Sequence, residues 1–178
     1  MSDDKKESWL NLLALTTVVF AVCATLSTFK GGSYSTRAVL SQTEAANQWS
    51  YYQSKSVKSY LHEIQREELE TEIAAGSERW PAGVTDLYRQ RAAEYAATIR
   101  RYEAEMKSIA STARRFESQR DHARSHSQTF GYAVILLQIG VLLSSVAALL
   151  KLKPVWILGV SSGASGLWFF ASGFFAGG

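Results

Sequence analysis

The segment from Phe130 to Phe175 reads FGYAVILLQIGVLLSSVAALLKLKPVWILGVSSGASGLWFFASGFF, and its only charges are Lys151 and Lys153. An apolar helix of about 20 residues spans the hydrocarbon core of a bilayer, which is roughly 30 Å thick. The apolar runs on either side of the two lysines both reach that length, and residues 151–154 suffice only for a tight turn. The segment therefore predicts two antiparallel transmembrane helices, over 129–150 and 155–178.

A third apolar run, WLNLLALTTVVFAVCATLSTF over residues 9–29, also carries no charge. It is longer than the apolar region of a typical secretory signal, and it lacks the small-residue pattern of a cleavage site. We interpret it as a retained transmembrane helix that follows a short polar tail at residues 1–8. The fold class predicted is an all-α membrane protein with three transmembrane helices.

Charged residues concentrate between the first and second spans, since residues 35–128 hold 27 of the 35 charges. From Tyr88 onward, apolar residues in this region recur with alternating spacings of four and three. Such a stripe is typical of a coiled-coil helix that packs along its length against another helix. The predicted seam consists of Tyr88, Ala92, Tyr95, Ile99, Tyr102, Met106, Ile109, Ala113 and Phe116. The same phase continues through Phe130 to Val141, which predicts one helix that runs from the arm into the second span.

The region 35–128 is predicted to form an antiparallel helical hairpin, because residues 76–84 contain two glycines and Pro81 near its middle. The first half has a weaker stripe of Ala45, Trp49, Tyr52, Val57, Leu61, Ile64 and Ile73. Residues 30–34, with two adjacent glycines, predict a hinge between the first span and this arm. The acidic residues gather near the turn of the arm and the arginines near the membrane.

Glycines of the third span share one helical face and include two GxxxG steps: Gly159, Gly163, Gly166, Gly173 and Gly177. In lipid, small residues allow close backbone approach, so this face is predicted to pack against another helix, either of the same chain or of a second copy. The motifs around Ser161 and Ser165 resemble serine-hydrolase signatures. No span contains a histidine that would activate these serines, so we expect no catalytic role.

The remaining polar residues give no defined site. His122 and His126 supply only two potential metal ligands, and we expect an exposed histidine pair and no metal or cofactor. Gln138, Ser144, Ser145 and four threonines of the first span are expected to form hydrogen bonds between helices. Four arginines at the base of the arm are candidates for contacts with lipid headgroups: Arg114, Arg115, Arg120 and Arg124. Nucleic-acid binding is not expected, because the arm has a net charge of only +1 from 14 basic and 13 acidic residues.

The stretch LALTTVVFAVCATLSTFKGGSYSTRAVLSQTEAANQWSYYQSKSVKSYL and the end GLWFFASGFF resemble a bacterial membrane-protein family catalogued as domain of unknown function 4337. The resemblance covers nearly the whole chain. It implies a multi-pass protein of the bacterial inner (plasma) membrane and brings no activity, substrate or site residues. Lysines and arginines nearly balance on the two sides of the spans, so the side of the arm stays open.

Two functions are consistent with these features. The first is a non-enzymatic membrane scaffold or interaction protein that self-associates through its coiled-coil arm and its glycine-faced third helix, or binds an unidentified protein at the arm. The second is a subunit of an oligomeric channel, in which Ser161, Ser165 and Ser172 of the third helix line a pore. The bilayer is the one partner that both hypotheses require.

Overall fold

The computed structural model describes residues 2–76, 80–81 and 83–175, and of residues 2–8 it describes the backbone alone. Three helices fill these ranges: α1 (Ser2–Gly76), α2 (Val84–Leu150) and α3 (Lys153–Phe175). No strand occurs in the ranges described. All three helices are long and apolar enough to cross a membrane. The all-α class with three such helices is therefore confirmed.

Helix α1 begins at Ser2 and continues through residues 30–34 without a break. The hinge predicted there is therefore wrong, and the polar residues from Ser2 onward belong to the helix. A glycine inside a helix costs only about 1 kcal/mol relative to alanine, which packing offsets. Gly31 lies against α2, where Ser127 Oγ donates a hydrogen bond to its carbonyl oxygen at 3.1 Å. A Cβ on Gly31 would lie 3.2 Å from Cβ of Phe130, so the glycine allows close packing of the two helices.

The turn between α2 and α3 is shorter than residues 151–154, because α3 already begins at Lys153. Lys151 has a φ of 55°, and the backbone N–H of Leu152 donates to the carbonyl of Ala147 at 3.2 Å. This is the Schellman arrangement that ends many helices, here with lysine in the left-handed position. Pro154 lies in the first turn of α3, where its missing N–H costs no helical hydrogen bond.

At the other turn, Gly83 has a φ of 97° and precedes α2. Of the predicted turn 76–84, residues 77–79 and 82 lie outside the described residues. The chain divides into two compact units, which we call the terminal unit (residues 1–40 with 119–178) and the middle unit (residues 41–118).

In the terminal unit, parts of α1 and α2 pack with α3 around a small apolar core. Its buried residues are Phe20, Ala24, Ala133 and Leu137. Cys23, Val141, Leu167, Phe169 and Phe170 pack around them. Because Leu137 and Ala133 have no exposed surface, these positions leave no room for larger side chains.

In the middle unit, α1 and α2 contact each other in antiparallel directions. Trp49 Nε1 donates to Glu117 Oε1 at 2.9 Å. Farther along α1, the His62 ring stacks on Tyr95 and Tyr102, with centroids 5.4 and 6.0 Å away. Every residue of the predicted α2 seam is buried or half-buried, from Tyr88 to Phe116.

Candidate interaction surfaces

The glycine face of α3 is buried against the spans of the same chain. Gly159, Gly163, Gly166 and Gly173 are all buried, and Gly177 lies outside the described residues. A Cβ on Gly159 would lie 3.1 Å from the carbonyl oxygen of Gly140. One on Gly173 would lie 2.9 Å from the Phe130 ring, and one on Gly163 would overlap Phe20. The face therefore sets the contacts of α3 with α1 and α2.

The serines of α3 bond mainly to their own helix. Ser161 Oγ donates to the Ile157 carbonyl at 3.0 Å, and Ser165 Oγ donates to the Ser161 carbonyl at 3.1 Å. Ser162 differs, because its Oγ donates across to the Leu136 carbonyl of α2 at 2.9 Å. Bonds to a carbonyl one turn back satisfy a hydroxyl within an apolar helix, and the bond of Ser162 joins α3 to α2.

His126 is buried, so the expectation of an exposed histidine pair is wrong for one of its two members. Its ring is 4% exposed and stacks on Tyr34 with centroids 4.8 Å apart. Nδ1 lies 3.3 Å from the carbonyl oxygen of Gly173 in α3. Tyr34 also stacks on Phe130, so the histidine belongs to an aromatic cluster that joins α1 to α2. His122, by contrast, is exposed.

Polar groups within the apolar spans only partly form the predicted bonds between helices. Trp156 Nε1 of α3 donates to Thr16 Oγ1 of α1 at 3.4 Å. Thr25 and Thr28 donate instead to carbonyls one turn back in α1. Both line a groove of about 430 Å³ between α1 and α2, together with the exposed Gln138.

The α1 side of the middle unit presents polar residues to α2. Lys55, Ser59, His62 and Arg66 are buried or half-buried, whereas the predicted stripe residues Val57, Leu61 and Ile64 are exposed. The predicted apolar seam of α1 is therefore wrong at Val57, Leu61 and Ile64, whereas Ile73 at its end is half-buried. A lysine and a histidine can face a neighbouring helix where each meets a partner, as Lys55 does in an ion pair with Glu105 at 2.7 Å.

The pair between Lys55 and Glu105 should make the middle unit sensitive to acid. The Lys55 ammonium donates a hydrogen bond to Glu105, which lowers the pKa of that carboxyl from its ordinary 4.5 and raises the pKa of Lys55. The stabilisation is present above pH 4.5 and is lost as pH falls through the lowered pKa of Glu105.

We therefore expect Glu105→Gln to reduce the loss of thermal stability between pH 7 and pH 3, measured by circular dichroism of the detergent-solubilised chain. Glu103→Gln, an exposed position on the same helix, should keep the wild-type pH dependence. An equal acid dependence in Glu105→Gln and wild type would show that the pair contributes nothing.

An exposed apolar stripe lies on α1 of the middle unit, on the side away from α2. It consists of Val57, Tyr60, Leu61 and Ile64, which are 60%, 63%, 55% and 46% exposed. The spacing of three and four places them on one helical face. Contiguous apolar surface of this kind marks an interaction site in many proteins. We call these four residues the outer stripe.

The sequence profile of a family described as a domain of unknown function (DUF4337) matches residues 9–176. The match extends from the first apolar run through both units and past Phe175, the last residue of α3. The chain is a member of the DUF4337 family. No curated protein and no solved structure matches it at comparable stringency.

In this DUF4337 protein, the arginines predicted to contact headgroups fall into two groups. Arg114, Arg115 and Arg124 are exposed. Arg120 is half-buried, and its Nε lies 2.8 Å from Asp121 Oδ1.

Among the residues that the structure describes, no cluster of three or more potential metal ligands occurs.

Proposed function

We propose that this DUF4337 protein is a non-enzymatic integral membrane scaffold, whose three apolar helices anchor an arm that binds protein. The observation that carries the proposal is the outer stripe. Four large apolar side chains on one face of a helix are costly in water, at about 25 cal/mol per Å² of apolar surface. A protein partner that covers Val57, Tyr60, Leu61 and Ile64 removes this cost.

The bilayer is the second partner in this proposal, and the bacterial inner membrane is the proposed location. The uncharged runs in α1, α2 and α3 support insertion, because charged residues are expensive within the hydrocarbon core. The exposed Arg114, Arg115 and Arg124 are proposed to contact anionic headgroups where they lie near the surface. Homo-oligomerisation is proposed to use the arm, since the chain's own spans cover the glycine face of α3.

Packing supports the non-enzymatic part of the proposal. The Ser161 and Ser165 hydroxyls donate to carbonyls of α3, which is the ordinary structural use of serine in an apolar helix. His126 of α2 stacks on Tyr34 of α1 and lies next to the carbonyl of Gly173 in α3, so it packs between three helices.

Photocrosslinking in native membranes tests the proposal. We expect a benzoylphenylalanine at Leu61 to give a covalent protein adduct, because this side chain lies within the outer stripe. The same probe at Ser56, which is exposed but off the stripe, should give little adduct. Extraction of the chain from membranes by alkaline carbonate, or the absence of adducts at all four stripe positions, would overturn the proposal.

A further inference from the structure

We propose that the outer stripe packs against the outer face of α2 in a second copy of the chain, so that copies in one membrane join head to tail through their middle units. This inference rests on the proposed function, because it names the partner of the same surface. It follows from three observations: side-chain size, axial register and charge.

The outer face of α2, opposite its buried seam, is lined by small residues. Ala93, Ala97 and Ala104 are exposed there, with Arg100 between them. Their spacings of four and three repeat those of a heptad stripe. The bulky side chains of the outer stripe fit the shallow positions at Ala93, Ala97 and Ala104, and Arg100 between them adds a positive charge.

The outer stripe of α1 and the alanines of α2 lie at corresponding positions along the helix axes. Lys55 pairs with Glu105, and His62 lies between Tyr95 and Tyr102. Since the helices run in opposite directions, Val57 is about level with Ala104 and Ile64 with Ala97. Where the middle units of two copies lie side by side in parallel, the stripe of one copy therefore meets the alanines of the other in this register.

Charge favours the same pairing. Residues 41–76 of α1 hold three basic and six acidic residues, whereas residues 84–118 of α2 hold seven basic and five acidic. The exposed Glu67, Glu68 and Glu72 follow the stripe, and the exposed Arg89 is about level with Glu72. If the outer stripes of two copies packed against each other in one membrane, the carboxylates of one copy would lie next to the same carboxylates of the other. The like charges would repel. Contact with α2 brings opposite charges together instead.

The outer faces of α1 and α2 lie on opposite sides of the helix pair, because each is turned away from the buried contact. They therefore meet only between copies. Such a contact joins two different surfaces, so it either closes into a ring or continues as a row.

Cysteine crosslinking of the full-length protein in native membranes tests this arrangement. In a Cys23→Ser background, we expect Ile64→Cys co-expressed with differently tagged Ala97→Cys to give a disulfide-linked dimer that contains both tags. Each variant alone should give no dimer, because the head-to-tail contact places position 64 next to 97 and never next to itself. Gln65→Cys with Ala97→Cys is the matched control and should not crosslink, because Gln65 is exposed at the same level but lies off the stripe.

A dimer formed by Ile64→Cys alone would overturn the inference in favour of a symmetric pairing of two stripes. Adducts of Ile64→Cys with a different protein would also overturn it, yet they would leave the proposed scaffold function intact. Absence of the mixed dimer in membranes that retain the chain would overturn it as well. Loss of the chain from the membrane fraction would instead overturn the proposed function.

Charge reversal supplies a second test, in which recovery on mixing two variants can arise only from contacts between copies. We expect Glu72→Arg and Arg89→Glu each to lower the crosslinking yield, because like charges then meet at every contact. Co-expression of the two reversed chains should restore the yield, since alternating copies bring opposite charges together. Failure of the mixture to recover would contradict the proposed register.

Discussion

Replacement of Gly166 by leucine is expected to destabilise the packing of α3 on α2 by about 3 kcal/mol, at the upper end of the usual cost of overpacking. A Cβ at this position would lie 2.7 Å from Leu137 Cγ and 2.9 Å from the Leu137 backbone nitrogen. The side chain of Leu137 could rotate, but the backbone of a helix cannot move locally, so α3 must shift as a whole. The free energy of unfolding in a denaturing-detergent titration measures the effect.

Gly131→Leu is the matched control, because it makes the same change in an apolar stretch of α2. A Cβ on Gly131 meets no heavy atom within 4 Å. Removal of a glycine from a helix favours the helix by roughly 0.5–1 kcal/mol, so this variant should be as stable as wild type or slightly more so. Equal losses in both variants would mean that Gly166 is not a contact position.

The side of α2 that is turned away from solvent could be predicted from sequence, because every position of the apolar spacing from Tyr88 to Phe116 is buried or half-buried. Ala92, Ile99, Ile109 and Ala113 are buried, and the aromatic positions between them are half-buried. The same reasoning located the apolar runs of all three helices, because a bilayer requires about 20 uncharged residues regardless of packing details.

The face of α1 that packs against α2 in the middle unit could not be predicted in the same way. Apolar periodicity selected Val57, Leu61 and Ile64, but the structure turns Lys55, Ser59 and His62 towards α2. The reason is that α2 offers specific partners, a carboxylate at Glu105 and two tyrosine rings beside His62. A single helix contains no information about such partners. The sequence does carry two stripes on this helix, one apolar and one polar, and the apolar stripe is the one that is exposed.

The candidate site was therefore predicted only in part. The sequence indicated that an arm helix has an interaction face, and the structure assigns the apolar stripe of α1 to the outside. The glycine face of α3 was also predicted in part. The spacing of its glycines predicted close packing against a helix but did not identify that helix. Gly140 of α2 answers that question, since a Cβ there would lie 3.0 Å from the Gly159 carbonyl oxygen.

Phe130→Ala is expected to destabilise the terminal unit by about 3–5 kcal/mol, the usual cost of removing a fully buried phenylalanine. Phe130 is 1% exposed and lies where all three helices meet. Its ring stacks on Tyr34 of α1 with centroids 6.0 Å apart, and it contacts Phe174 of α3 edge-on at 5.4 Å. Alanine would leave a cavity between the helices, because the glycines beside it, Gly31 and Gly173, have no side chains to fill the space.

Phe175→Ala provides the matched comparison, since this ring is 84% exposed on α3 and its loss should change the free energy of unfolding by only about 0.5 kcal/mol. Both variants lose one phenylalanine and keep the charge, so the difference between them measures packing alone. Unfolding followed by tryptophan fluorescence suits the comparison, because Trp9 and Trp156 contact each other in the same unit with centroids 6.4 Å apart. Similar stabilities for the two variants would mean that the helices do not converge on Phe130. A large loss confined to Phe130→Ala would identify this ring as the point that holds the three helices together.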